Sequence, residues 1–214
     1  MEVSEITELK EKINTESRFE LLTGLLIAVF AAILAIIDLG SGKYAKEQLI
    51  ANNQKTEAYQ WYQSKSIKQT LAESQRELVK TFLSSGIINT NKKDSIEKYI
   101  SRISESISRY DKEKNEILKG SAIVGKDNWV QEKDGKMGAI IGADEWGEKA
   151  EKLANACNTF ELAVLFLHVC LVMGAISLMV KHDNLKKTFI FILITLGIIG
   201  MIYGIHAFML ASAV

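Results

Sequence analysis

The chain has 214 residues, of which 48% are hydrophobic, and its formal net charge is +0 at pH 7. Nucleic-acid binding needs a concentrated basic face, so this balance argues against a nucleic-acid partner. Proline is absent, which favours long uninterrupted helices because proline breaks them. Cys157 and Cys170 lie on one predicted helix about 20 Å apart, too far for a disulfide between them.

Three apolar segments of about 20 residues each are long enough to cross the hydrocarbon core of a bilayer as helices. They predict transmembrane helices over residues 19–40, 160–180 and 188–214. Residues 1–18 precede the first helix as an amphipathic segment rich in glutamate, and no A-x-A cleavage site follows that helix, so we expect a retained anchor. The predicted fold class is all-α: an integral membrane protein with three transmembrane helices and a long, coiled-coil-like helical hairpin outside the bilayer.

The hairpin is predicted to occupy the polar region 41–159. Isoleucines recur at steps of three and four between Ile96 and Ile117, which is the a/d pattern of a helix packed along another helix. Asp94 and Glu97 form a capping-box signal at the start of this helix. The sequence therefore predicts a helix over residues 95–119 with one apolar seam.

A second helix is predicted over Lys43 to Ser84, antiparallel to the first and joined to it by the stretch "SSGIINTNKKD". One of its faces is apolar and is expected to pack against the isoleucine seam. That face consists of Ile67, Leu71, Leu78 and Phe82. The glycine-rich segment 120–144 is predicted to be a loop or an irregular cap, and helix is expected to resume near Glu145 and run into the second span.

The run "AYQWYQSKSIKQ", residues 58–69, contains three aromatic residues shortly after the first span. On a helix that continues from the span, Trp61 would lie about 33 Å beyond Leu39, too far for an aromatic belt at the lipid surface. The candidate interface residues here are Tyr59, Trp61, Tyr62 and Lys65, which occupy two faces of the helix. Contact with another subunit and packing within the hairpin both account for them.

The run "QWYQSKSIKQ" follows a first span and precedes a polar helical region and two closely spaced spans near the end of the chain. This layout resembles a bacterial membrane-protein family known as domain of unknown function 4337. The resemblance covers nearly the whole chain in layout, and the short run is its specific part. It implies a three-span architecture and no known activity.

Four ionisable residues fall within the predicted spans. The count starts at the helix ends near residues 19, 180 and 188, which we place on the same, cytoplasmic side of the bilayer. From there Asp38, Glu161 and His206 all lie about 28–30 Å along their helices, hence at one level. His168 lies two turns deeper on the same face as Glu161. Such groups often mark ion or proton paths. The alternative is that the first three sit at the wet outer boundary and that His168 bonds to a neighbouring helix.

Small residues recur along two of the spans and would let helices approach closely. The third span has Gly197, Gly200 and Gly204, and the first has Gly24, Ala28 and Ala32. The pattern fits packing inside one protomer and packing between protomers equally well.

The short loop Lys181–Lys187 has three lysines and one aspartate. Short loops rich in lysine stay in the cytoplasm. We therefore expect a multi-pass protein of the bacterial inner (cytoplasmic) membrane, with a cytoplasmic N-terminus and an extracytoplasmic hairpin.

No nucleophile triad, phosphate loop or zinc signature occurs in the sequence, so we expect no catalytic, cofactor or metal site and no enzyme activity. The leading hypothesis is a homo-oligomer that self-associates through its hairpin and glycine-rich spans and acts as a membrane scaffold or assembly subunit. One alternative is a channel or transport component whose polar path is lined by Asp38, Glu161, His168 and His206. Another is an accessory subunit of a larger complex. The expected partners are the lipid bilayer and further copies of the chain, and this last alternative would add other membrane proteins to them.

Overall fold

The structure is a computed structural model that describes the backbone of residues 2–86 and 93–214, and the side chains of these ranges from residue 18 onward. The helices are α1 (Glu2–Ser84), α2 (Lys93–Lys119), α3 (Ser121–Val124), α4 (Ala143–Met179) and α5 (Asp183–Ser212). A 3-10 turn at Lys126–Asn128 and two short strands, β1 (Glu132–Lys133) and β2 (Lys136–Met137), lie between α3 and α4. The strands are antiparallel, with Glu132 opposite Met137. The fold is all-α, and α1, α4 and α5 are each long and apolar enough to cross a membrane.

The chain forms two compact units. The span unit consists of Met1–Gln48 and Lys152–Val214, and the hairpin unit consists of Leu49–Glu151. Helices α1 and α4 each contribute to both units. Helix α1 continues without interruption through the glycines of "GSG", residues 40–42.

The core of the span unit lies between α1, α4 and α5. Three aromatic rings, one from each helix, meet there: Tyr44 stacks on Phe160 at 5.8 Å between ring centroids, and Phe208 meets Phe160 edge to face at 4.9 Å. Such ring pairs add stability beyond the burial of their area. The Cys170 thiol also donates to the Leu193 carbonyl oxygen at 3.2 Å, which ties α4 to α5.

The connection between α4 and α5 is shorter than the predicted loop Lys181–Lys187. Helix α4 ends at Met179 and α5 begins at Asp183, so the lysines at 186 and 187 belong to the first turns of α5. Lys186 is buried and its Nζ lies 3.0 Å from the Glu20 carboxylate of α1. Lys186 therefore joins α5 to α1, while Lys181 and Lys187 are exposed.

In the hairpin unit, α1 and α2 run antiparallel. Lys65 contacts Glu113 near the end of α2, whereas Leu71 and Ala72 share a groove with Ile103, earlier in α2. Ile103 and Ile117 are buried, and α2 turns the predicted isoleucine seam inward. Helix α2 begins at Lys93, so Asp94 lies in its first turn, where the positive end of the helix dipole stabilises a carboxylate. The predicted joining turn includes residues 87–92, which lie outside the described residues.

The prediction for the face of α1 that packs on α2 was wrong for three of its four residues. Ile67, Leu78 and Phe82 are 70%, 54% and 41% exposed, whereas Leu71, although 58% exposed, lines a groove with Ile103 of α2. The residues of α1 that meet α2 include Tyr62, Lys65 and Ala72. Lys65 meets the buried Glu113 carboxylate, so hydrophobicity alone did not identify the packed face.

Candidate functional site

A groove in the span unit brings three of the four predicted ionisable residues together. Asp38 and Ser41 of α1 and Glu161 and His168 of α4 line it, with Val164 and Leu165, and it encloses about 340 Å³. Residues three, four and seven positions apart share a helix face, which explains how each helix contributes its set. We call this the polar groove.

The polar groove faces outward. Asp38, Glu161 and His168 are exposed, so their carboxylate and imidazole groups are free to bind protons, cations or hydrogen-bond donors from outside the protomer. Within residues 18–86 and 93–214, no group of three or more His, Cys, Asp and Glu side chains could hold a metal ion.

His206 does not line the polar groove. It is exposed on α5, although Gly204 and Ala207 beside it are buried in the span unit. Counting depth along a helix placed His206 at the level of the other three. Depth alone does not give the direction in which a side chain points around its helix.

The glycines of the third span pack inside the protomer. A Cβ at Gly197 would overlap the Phe30 ring of α1, one at Gly200 would crowd Leu167 of α4, and one at Gly204 would overlap Ile37 of α1. Packing within one protomer thus accounts for all three, and they are not free to contact a second protomer.

The small residues of the first span are placed differently. Gly24 has no heavy atom within 4 Å of the position that its Cβ would take, and Ala28 and Ala32 are exposed. This face of α1 is open for a close approach by another helix.

The candidate interface residues of the run 58–69 fall into two groups, one that packs within the hairpin and one that is open to another subunit. Tyr62 is half-buried, with Lys114 Nζ of α2 5.6 Å from the centroid of its ring, and Lys65 Nζ lies 2.7 Å from a Glu113 carboxylate oxygen. These two residues serve packing within the hairpin. Tyr59 and Trp61 are exposed and remain candidates for contact with another subunit.

A family model, "Domain of unknown function (DUF4337)", matches residues 20–210. The chain belongs to this family. No curated protein and no solved structure matches it. Membership of the DUF4337 family supplies no activity, so the function has to be argued from the arrangement of the residues.

Sequence reasoning missed one buried ion cluster of this DUF4337 chain. Glu113 of α2 is buried, and its two carboxylate oxygens meet Lys65 Nζ at 2.7 Å and Arg109 Nε at 2.8 Å. A charge taken out of water needs such partners. The i,i+4 spacing of Arg109 and Glu113 could have predicted the ion pair between them. Nothing in the sequence indicates that Lys65, on a distant segment, joins this pair.

A second buried carboxylate, that of Glu116, organises the segment after α2. One of its oxygens accepts from the Ser121 hydroxyl at 2.8 Å, and the other accepts from the backbone N–H groups of Val130 and Gln131 at 3.0 Å each. Ser121 Oγ in turn accepts from the Ile140 N–H at 3.0 Å. Of the two predicted alternatives for residues 120–144, the structure has the irregular cap and not a loop.

Glycine and tryptophan complete this cap. Trp129 Nε1 donates to the Ser121 carbonyl oxygen at 2.7 Å, and its ring lies directly against Gly138, where a Cβ would overlap it. Gly138 also has a φ of 79°, which favours glycine because a side chain would be strained there. The glycines that predicted irregular structure thus allow close packing.

Proposed function

We propose that this DUF4337 chain is a non-enzymatic membrane scaffold or assembly subunit that works as a homo-oligomer. The observation that carries the proposal is the exposure of Asp38, Glu161 and His168 on the outside of a unit whose helices have the length and apolarity of membrane spans. Ionisable side chains in spans almost always face the interior of a helix bundle or a polar cavity, where they pair with one another. A further copy packed on the polar groove would give these residues such a setting.

Small residues support the same proposal. The glycines of α5 are already used within the protomer, whereas Gly24, Ala28 and Ala32 form an open face on α1. Close approach at small residues is a common way for helices to associate in lipid. The first span therefore offers a contact surface between copies.

The proposed location is the bacterial inner membrane, with the N-terminus in the cytoplasm and the hairpin unit outside. Its support is Lys181 and Lys187, which are exposed around the short connection between α4 and α5, because lysines in short connections favour the cytoplasmic side. A membrane-impermeant thiol reagent should label an Ile123→Cys variant in intact cells and a Lys181→Cys variant only after lysis. The reverse labelling would reverse the orientation.

The test of self-association uses two differently tagged full-length copies expressed together and extracted in mild detergent. We expect each tag to retrieve the other copy, and retrieval should fall at least tenfold when Glu161 and His168 are both replaced by Leu, because the groove then loses both hydrogen-bonding groups that α4 contributes. Leu162→Ala is the matched control, since Leu162 is exposed beside Glu161 but does not line the groove. Absence of retrieval by the unmodified chain would contradict the proposal.

A channel or transport component is the second candidate. It is favoured by the composition of the groove, in which two carboxylates, an imidazole and a hydroxyl share about 340 Å³. Rings of acidic side chains select cations in channels. Liposomes that contain the protein would then conduct protons or monovalent cations, and Asp38→Asn would reduce the flux. Liposomes as tight as empty ones would remove this candidate and leave the scaffold.

A further inference from the structure

A second groove lies between α1 and α2 in the hairpin unit, and it shares no residue with the polar groove of the spans. It encloses about 350 Å³, which falls at the lower end of the range for small-molecule sites in proteins. Its polar lining includes Lys68 and Gln75 of α1 and Tyr99, Arg102 and Tyr110 of α2. We call it the hairpin groove.

The two cations of the hairpin groove lie at its opposite ends. Lys65 Nζ lies 2.7 Å from a Glu113 carboxylate oxygen, so these two residues have about the same height along the antiparallel helices. Counted from that height in one direction, the backbone of Lys68 lies about 4.5 Å away and that of Arg102 about 16.5 Å away. The two cations are therefore about 12 Å apart along the groove, and Tyr110 lies level with Lys68.

The middle of the hairpin groove is apolar. Leu71, Ala72 and Ile103 line it, and on the same count their heights fall between those of Lys68 and Arg102. Ile103 is buried, whereas Leu71 is 58% exposed, so an apolar group placed here would cover surface that now faces water. An apolar middle with a cation at each end is complementary to an elongated anion with an apolar body.

The lining of the hairpin groove contains cations and no carboxylate. Glu73 and Glu105 are the acidic residues that fall between the lining residues in sequence, and each hydrogen-bonds to a neighbour on its own helix instead. Within the described residues, neither Lys68 nor Arg102 forms an ion pair. Both cations are therefore available to an acidic ligand.

We propose that the hairpin groove binds an elongated organic dianion, which has an acidic group at each end of an apolar body. One acidic group pairs with Lys68, and the other pairs with Arg102, whose fork of N–H donors suits a carboxylate. The apolar body lies on Leu71, Ala72 and Ile103. The site goes beyond the proposed function, because a single protomer contains all of it.

Calorimetric titration of the full-length protein in lipid nanodiscs tests this site, with empty discs as the blank. The probe is decanedioate, a straight saturated chain with a carboxylate at each end. We expect it to bind at least tenfold more tightly than decanoate, which has one carboxylate, and than the corresponding diol, which has none. The difference measures the second ion pair, since the apolar body is the same length in all three probes.

Substitutions at the two ends of the groove locate the binding. Lys68→Gln and Arg102→Gln should each weaken the binding of decanedioate at least tenfold, because each removes one charge-assisted hydrogen bond. Both side chains are exposed, so neither change should unfold the hairpin. Lys98→Gln is the matched control, since Lys98 is exposed on α2 and does not line the groove, and it should leave the affinity unchanged.

Three outcomes would overturn the inference. Millimolar decanedioate may give no more heat with the protein than with empty discs, in which case the groove binds no such ligand. Equal affinities for decanedioate and decanoate would show that the two ends do not act together. An equal loss of affinity in Lys98→Gln and Lys68→Gln would show that the general charge of the hairpin attracts the anion. None of these results bears on whether tagged copies retrieve each other, so the proposed function is tested separately.

Discussion

Glu113 shows how much of this structure depends on single charged residues. Its carboxylate is buried between two cations, and one of them, Lys65, comes from the neighbouring helix and is itself mostly buried. A buried ion pair adds little net stability compared with an apolar pair of similar volume, but the loss of one partner leaves an uncompensated charge. The pair therefore fixes which faces of α1 and α2 meet more than it strengthens the hairpin.

The substitution Lys65→Met would keep most of the apolar stem of the side chain and remove its charge. The free energy of unfolding of the hairpin unit should fall by about 3 kcal/mol, because Glu113 then keeps only Arg109. All three tryptophans lie in the hairpin unit, so urea unfolding of the full-length protein in detergent, followed by tryptophan fluorescence, reports on it.

Lys80→Met is the matched control, because Lys80 pairs with Glu77 at an exposed position and such pairs contribute about 0.2–1 kcal/mol. The double change Lys65→Met, Glu113→Leu should recover much of the loss, since it removes both charges. Equal effects of Lys65→Met and Lys80→Met would mean that the buried pair does not hold the hairpin.

At the scale of helices, glycine has two distinct uses in the span unit. Gly197 brings α5 against the Phe30 ring of α1, whereas the Cβ position of Gly24 on α1 has open space around it. The same residue type therefore closes the protomer in one span and leaves a surface open in another. Sequence spacing, which repeats at four in the first span and at three and four in the third, did not distinguish these uses.

Alanine at the two positions should separate them. Gly197→Ala should destabilise the span unit by about 1–3 kcal/mol, because a Cβ forces the Phe30 ring or the helix to shift. Gly24→Ala should leave the protomer within about 1 kcal/mol of the unmodified protein. The midpoint of thermal aggregation in detergent measures both. A larger loss for Gly24→Ala would show that the helices are packed differently.

The sequence predicted the elements better than their contacts. The isoleucine seam of α2 and the unbroken course of α4 follow from local periodicity and from the absence of helix breakers. The cap after α2 does not, because Glu116 bonds to backbone groups 14 and 15 residues away. The polar groove was partly predictable, since depth along a helix placed Asp38 and Glu161 together, but the outward position of His206 depends on rotation around α5.

At the scale of the whole chain, each of the two units has an outer surface that a lone protomer leaves unsatisfied. The span unit exposes Asp38, Glu161 and His168 of the polar groove, and the hairpin unit exposes the apolar side chains of Ile67, Leu78 and Phe82. A bilayer around the span unit would disfavour the first surface, and water around the hairpin unit would disfavour the second. Contact between copies would remove both costs, which is why self-association is the central claim for this chain.

The most direct test is the mass of the unmodified protein extracted with its native lipids into polymer-bounded discs, measured particle by particle. We expect discs that hold two or more copies, and we expect the share of such discs to fall when Glu161 and His168 of the polar groove are both replaced by Leu. Exposed Leu162→Ala serves as the control and should leave the mass unchanged. Discs that hold a single copy at every protein density would contradict the claim.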